Sequence, residues 1–184
     1  MSPMPVTGSQ TVGPFFRIGM AALFREELAG PEVPGQRATV HGRVLDGDGQ
    51  GIPDAVIEIW QADAQGRYAE EAARSIFTGF GRVPTGDRGE FRFTTIKPGN
   101  VAGPEGVAQA PHLVVIVFMR GLLRHLCTRM YFPDEVANEN DAILQLVPAE
   151  RRDTLIAKRE SADSTVFEWN LHMQGENETV FFEV

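Results

Sequence analysis

Turn residues break this chain into stretches that suit short strands far better than long helices. Its 184 residues include 19 glycines and 12 prolines, spread without a period, which excludes a collagen-like repeat and favours a turn-rich β fold. Arg37 to Asp46 alternates, with Ala38, Val40, Gly42 and Val44 on one face. That is the period of a half-buried strand. Asp46-Gly47-Asp48-Gly49 and Pro53-Asp54 are turn signals, and a strand follows over Ala55 to Gln61 with Ile57 and Ile59 on one face. Gly79 to Gly89 reads as a loop. Glu90 to Ile96 alternates through Phe91 and Phe93 and stops at Lys97-Pro98-Gly99. His112 to Met119 is an almost unbroken apolar run, as expected of a buried strand. Arg124 to Phe132 is its expected partner across a bend near Gly121. Ser164 to Met173, which does not keep strict period two, and Thr179 to Val184 bring the total to about eight strands.

Helical signals are short. Phe15 to Leu28 has a stripe of Phe16, Met20, Leu23 and Phe24. Asn140-Asp141 precedes an apolar run over Ala142 to Val147, and Pro148 opens a second candidate helix over Ala149 to Ala157. The expectation is a mainly β chain: a β-sandwich of about eight strands with a few short helices. It would form one domain over residues 1–184, with 1–36 as an irregular N-terminal arm and short helix. A chain of this size buries about 70% of its unfolded surface, so the core needs no disulfide or metal.

Charge and ligand counts narrow the function. A formal net charge of −8 disfavours nucleic acid and anionic membrane surfaces as partners. No apolar run approaches the roughly 18 residues a membrane helix needs. Residues 1–10 lack the basic and apolar parts of a secretory signal, so a cytoplasmic location is expected. The single cysteine, Cys127, reads as a small buried hydrophobe. The four histidines, His41, His112, His125 and His172, are too scattered for a local metal motif. Two ligands at i and i+2 on a strand share a face, but His112 is followed at that spacing by Val114. There is no Gly-x-Ser-x-Gly and no phosphate-binding glycine loop.

Several segments in order form a pattern. They are Thr11-Val12-Gly13-Pro14-Phe15-Phe16, His41-Gly42-Arg43-Val44-Leu45-Asp46, Glu58-Ile59-Trp60-Gln61-Ala62-Asp63 through Gly66-Arg67-Tyr68, and Thr94-Thr95-Ile96-Lys97-Pro98-Gly99. Ala110-Pro111-His112, Phe118-Met119-Arg120-Gly121, Thr128-Arg129-Met130-Tyr131-Phe132 and Gly175 to Phe182 extend it. The set resembles the intradiol ring-cleavage dioxygenases across nearly the whole chain.

In that family, catalytic chains hold non-haem Fe(III) through two tyrosines and two histidines. By resemblance Tyr68 and His112 stand at two of these positions, and Val101 and Val114 at the other two. The resemblance therefore implies an iron-free α subunit with vestigial ligand positions and no catalytic residue of its own. The Fe(III) would be bound by a partner β chain. Thr11, Gly13 and Pro14 would line the partner's pocket, and Arg120 would stand near the same substrate. The implied reaction is oxidoreductase chemistry of aromatic catabolism, in the β-ketoadipate pathway. Both atoms of O₂ enter protocatechuate between its hydroxylated carbons, giving 3-carboxy-cis,cis-muconate. The implied assembly is a higher oligomer of α–β heterodimers, with no nucleic acid and no membrane. The alternative is a stand-alone β-sandwich that binds an aromatic ligand without catalysis.

Overall fold

The computed structural model describes residues 7–69, 76–103, 106–133 and 135–183. The beginning of the expected arm (1–6), Asp134 and the last residue of the expected final strand, Val184, lie outside these. In chain order the strands are β1 (Arg37–Leu45), β2 (Val56–Trp60), β3 (Phe80–Pro84), β4 (Glu90–Ile96), β5 (Val101–Ala102), β6 (Ala108–Gln109), β7 (His112–Phe118), β8 (Leu126–Tyr131), β9 (Lys158–Arg159), β10 (Val166–Glu168) and β11 (Leu171–His172). Two short helices, α1 (Pro14–Gly19) and α2 (Ala142–Leu146), accompany them.

One sheet is built around β1. Along one edge β4 runs antiparallel, from Arg37 opposite Ile96 to Arg43 opposite Glu90. Along the other edge β10 and then β11 run parallel to it, with β9 outside β10. The gap between β10 and β11 has a local cause. Asn170 Oδ1 accepts the Arg43 N–H at 2.8 Å, so a side chain stands in for a ladder carbonyl. A Cβ at Gly42 would lie 1.8 Å from the Trp169 carbonyl oxygen; glycine is what lets the two backbones approach here.

The second sheet has the order β3-β2-β7-β8, antiparallel throughout. The two sheets share one apolar core, in which Val40, Val44, Phe91, Phe93 and Phe167 from the first meet Ile57, Ile59, Leu113, Val115 and Val117 from the second. Phe132 sets its edge on the Phe167 ring at 5.1 Å, a geometry the ring quadrupoles favour by about 1 kcal/mol. This is the expected sandwich, and the alternating residues of β1, β2, β4 and β7 face inward as their period requires.

Four local expectations are corrected. Gly79 to Gly89 is not all loop: its first half contains β3. A Cβ on Gly81 would meet the Leu28 side chain at 2.5 Å, so the missing side chain there is a seat for a neighbour, and Val83 fills the inward position. Phe15 to Leu28 is not one helix. α1 stops at Gly19, a 3₁₀ turn follows at Ala21–Leu23, and the remainder bonds to both sheets instead. Arg25 N–H donates to Arg82 O and Leu28 N–H to Thr94 O, each at 2.8 Å. Ala149 to Ala157 yields only a 3₁₀ stretch over Ala149–Thr154, because the following residues pair with β8: Tyr131 N–H donates to Leu155 O at 2.8 Å and Ala157 N–H to Tyr131 O at 3.0 Å. Thr179 to Phe182 forms a single bridge to Cys127 rather than a strand.

Candidate functional site

The expected site residues gather at two places. The first is the outer face of β7. Leu113, Val115 and Val117 point into the core, which leaves His112 and Val114 side by side on the opposite face. His112 is nevertheless 1% exposed. Tyr131 covers it with ring centroids 5.8 Å apart, and its Nδ1 lies 2.7 Å from the Ala110 carbonyl. A carbonyl only accepts, so Nδ1 carries the proton and Nε2 the lone pair. Burial, then the charge of Arg129, pushes the imidazole pKa down to about 4, so the ring is neutral at neutral pH. Burial also pushes the Tyr131 phenol above its usual range. Its hydroxyl donates to Asp141 Oδ1 at 3.0 Å.

Val114 lies between Trp60 of β2 and Arg129 of β8. Trp60 stacks on Tyr68, centroids 6.0 Å apart and 13° from parallel. The loop carrying Tyr68 presses on the segment that carries Val101. At Gly66 φ is +79°, and a Cβ there would sit 1.8 Å from Asn100 O. Val101 pairs with Gln109. Thus Tyr68, Val101, His112 and Val114 sit on neighbouring segments at one end of the second sheet. This set does not fit Fe(III). One imidazole and one phenol are joined by two hydrocarbon side chains, which offer no donor atom. Among the described residues no cluster of three or more His, Cys, Asp or Glu could hold a metal ion.

The second place is where the N-terminal arm meets the β7–β8 turn. Thr11 Oγ1 accepts the Gly121 N–H at 2.8 Å. Gly121 has φ +90°, a conformation that glycine adopts without strain. Gly13 follows in extended conformation (φ −93°, ψ 177°), and Pro14 opens α1, where its missing N–H costs nothing. Phe16 packs on Phe118 at 5.2 Å, and Arg17 Nη2 donates to Thr85 O at 3.2 Å. Arg120 Nε stands 3.4 Å from Asp54 Oδ1, an ion-pair distance without hydrogen-bond geometry. Its side chain is 63% exposed. So the arm is pinned beside Arg120, and Thr11, Gly13 and Pro14 are exposed there. Among the described residues, nothing lies within 4 Å of where a Gly13 Cβ would be. Phe15, Ile18 and Leu123 add exposed apolar surface.

Sequence reasoning passed over two residues that shape the first place. Asp141 is fully buried and accepts from Ile143 N, Leu144 N, Ala110 N and the Tyr131 hydroxyl. The helix-start signal before Ala142 marked it, but only as a cap. Arg129 was seen only as one member of the Thr128–Phe132 motif and given no role, because its neighbours are set by strand register. Cys127 is a free, buried thiol whose pKa burial pushes up, the opposite of an activated nucleophile.

Comparison with known proteins agrees with this architecture. A family model described as "Dioxygenase" matches residues 13–175. The chain is 44% identical to the protocatechuate 3,4-dioxygenase alpha chain of Burkholderia cepacia, with all of both chains covered. It is also 33% identical to the protocatechuate 3,4-dioxygenase beta chain of the same organism, over 95% of this chain and 78% of that one. Among solved structures, the dioxygenase domain of a carbohydrate-binding fusion protein from Streptomyces sp. SirexAA-E superposes with a TM-score of 0.66 at 27% identity, covering 83% of this chain and 88% of that one. With the family match, the full-length similarity and the shared sandwich all in agreement, this chain belongs to the intradiol ring-cleavage dioxygenases.

Proposed function

We propose that this chain is the iron-free α subunit of a protocatechuate 3,4-dioxygenase and completes a pocket whose non-haem Fe(III) is held by a β chain. The observation that carries the reading is the pair Val101 and Val114. The frame of a ligand site is kept, with Tyr68 stacked on Trp60 and His112 bonded to Ala110, while two of its four positions have no donor atom. Such a chain contributes shape and charge rather than a metal. The iron, when bound in the partner, supplies activation of the catecholate toward O₂.

The residues of this chain have definite tasks in that reading. The Thr11–Gly121 bond fixes the arm. Gly13, with no described residue within 4 Å of where a Cβ would be, lets the partner or the aromatic ring approach the backbone closely. Pro14 fixes the entry to α1 without presenting a donor. Arg120 directs a permanent positive charge outward, suited to the carboxylate of protocatechuate. The complex works in the cytoplasm, as a higher oligomer of α–β heterodimers in which this chain forms one domain over residues 1–184.

The test uses Arg120→Ala in the complex with its β chain. Losing one charge-assisted bond, about 1.5 kcal/mol, raises KM for protocatechuate or lowers kcat/KM by about tenfold. A catechol without the carboxylate is turned over about as well by the variant as by the wild type. Unchanged kinetics with protocatechuate removes Arg120 from the site.

A further inference from the structure

The face that carries His112 and Val114 also holds a cation to which the proposed function gives no task. Arg129 stands directly opposite Val114 in the β7–β8 ladder, one side-chain row from the His112–Tyr131 pair. Directly opposed Cβ atoms in such a ladder are about 5 Å apart and diagonal neighbours about 7–8 Å. Arg129 Nη1 donates to Gln109 Oε1 at 2.7 Å, and Gln109 is the ladder partner of Val101. Across Val114 lies Trp60, with Tyr68 stacked on it. The Arg129 side chain therefore shares a face with Val114 and His112, its charge is felt at the His112 ring, and its guanidinium holds Gln109, the ladder partner of Val101. It cannot lose its proton in a protein and has no lone pair to offer a metal.

We infer that Arg129 is the resident cation of this site and that its guanidinium, as well as the two missing ligands, keeps a metal ion out. The inference rests on the iron-free reading above and adds to it. Loss of the ligands would leave a half-formed site open to adventitious metals, since an imidazole with a free Nε2 and a phenol remain. A fixed positive charge beside them repels any incoming cation, and the partly buried setting weakens that repulsion less than water would. The Arg129–Gln109 bond holds the charge in place.

The experiment restores the ligands with and without the charge. Full-length chain, co-expressed with its β chain, is made as wild type, as Val101→Tyr with Val114→His, and as that pair combined with Arg129→Gln. Each is supplied with ferric iron. Metal is counted above the partner's own, and the visible tyrosinate-to-iron charge-transfer band is recorded, with circular dichroism confirming the fold. The pair alone is expected to gain no iron over wild type. The triple variant gains stoichiometric iron and added visible absorbance, binding at least about tenfold tighter than the pair. Arg129→Lys in the pair background keeps the charge and keeps iron out. If the Gln variant does not accumulate folded, Arg129→Met takes its place. The inference is overturned if the pair loads as fully as the triple variant, or if a folded triple variant gains no iron. Iron bound by this chain in the wild type would instead overturn the iron-free reading itself.

Discussion

Asp141 and His112 show how single buried polar groups hold one end of the second sheet together. Both oxygens of the Asp141 carboxylate are used, joining β8, the segment before β7 and the start of α2 through four hydrogen bonds. Asp141→Ala leaves those donors unpaired in the interior and costs about 3 kcal/mol of stability in urea unfolding, beyond the loss of an ordinary cap. A change under 1 kcal/mol, roughly the value of an exposed cap, contradicts this account. His112 makes stability depend on acid. In the unfolded chain it gains its proton near pH 6.5, but in the fold only at about 4. Between those values the unfolded state holds more protons, so stability falls as pH falls through that window. The effect is at most about 3 kcal/mol. Replacing His112 with Gln should shrink the loss of stability between about pH 7 and about pH 4.5 by that share. An unchanged pH slope would show that the imidazole is charged in the fold.

Elements were legible where a strand was long enough to display its period. β1, β4 and β7 span seven to nine residues each, and their alternation stands out. β3 was hidden because Gly81 and Pro84, read locally, are turn residues; only the Leu28 side chain over Gly81 shows why a glycine belongs in a strand. The uneven period of Ser164 to Met173 was visible, but its cause, the Asn170 side chain bonding Arg43, spans 127 residues. Tyr68, Val101, His112 and Val114 were singled out because they follow ordered local motifs, whereas the place of Arg129 depends on the register of β7 against β8, which no local pattern encodes. Gly42 offers a test at this scale. Gly42→Ala forces a methyl group against the Trp169 carbonyl and should cost about 3 kcal/mol, the upper range of overpacking, in denaturant unfolding. A neutral substitution would mean that β1 and β10–β11 do not approach as closely as described.

At the scale of the molecule, the surface is unfinished at one corner. The sandwich buries its core, yet Phe15 is 82% and Ile18 61% exposed on α1, a few residues along the arm from the Thr11–Gly121 contact. Apolar side chains grouped on an arm mark an interaction surface. Phe15→Ser combined with Ile18→Ser should leave the chain's own stability within about 0.5 kcal/mol, as expected of exposed sites. It should weaken association with the β chain by at least about tenfold, or 1.4 kcal/mol, read by titration of the two purified chains. Unchanged affinity would place the partner elsewhere. The central claim is that a chain large enough to build this sandwich holds no iron and catalyses nothing without a second chain. The most direct measurement is iron content and protocatechuate-dependent oxygen uptake for this chain alone, its β chain alone and the two co-expressed. The account predicts no bound iron and no uptake for this chain alone, and full uptake only in the complex, with iron matching the β chain's content. Stoichiometric iron and oxygen consumption by this chain alone would contradict it.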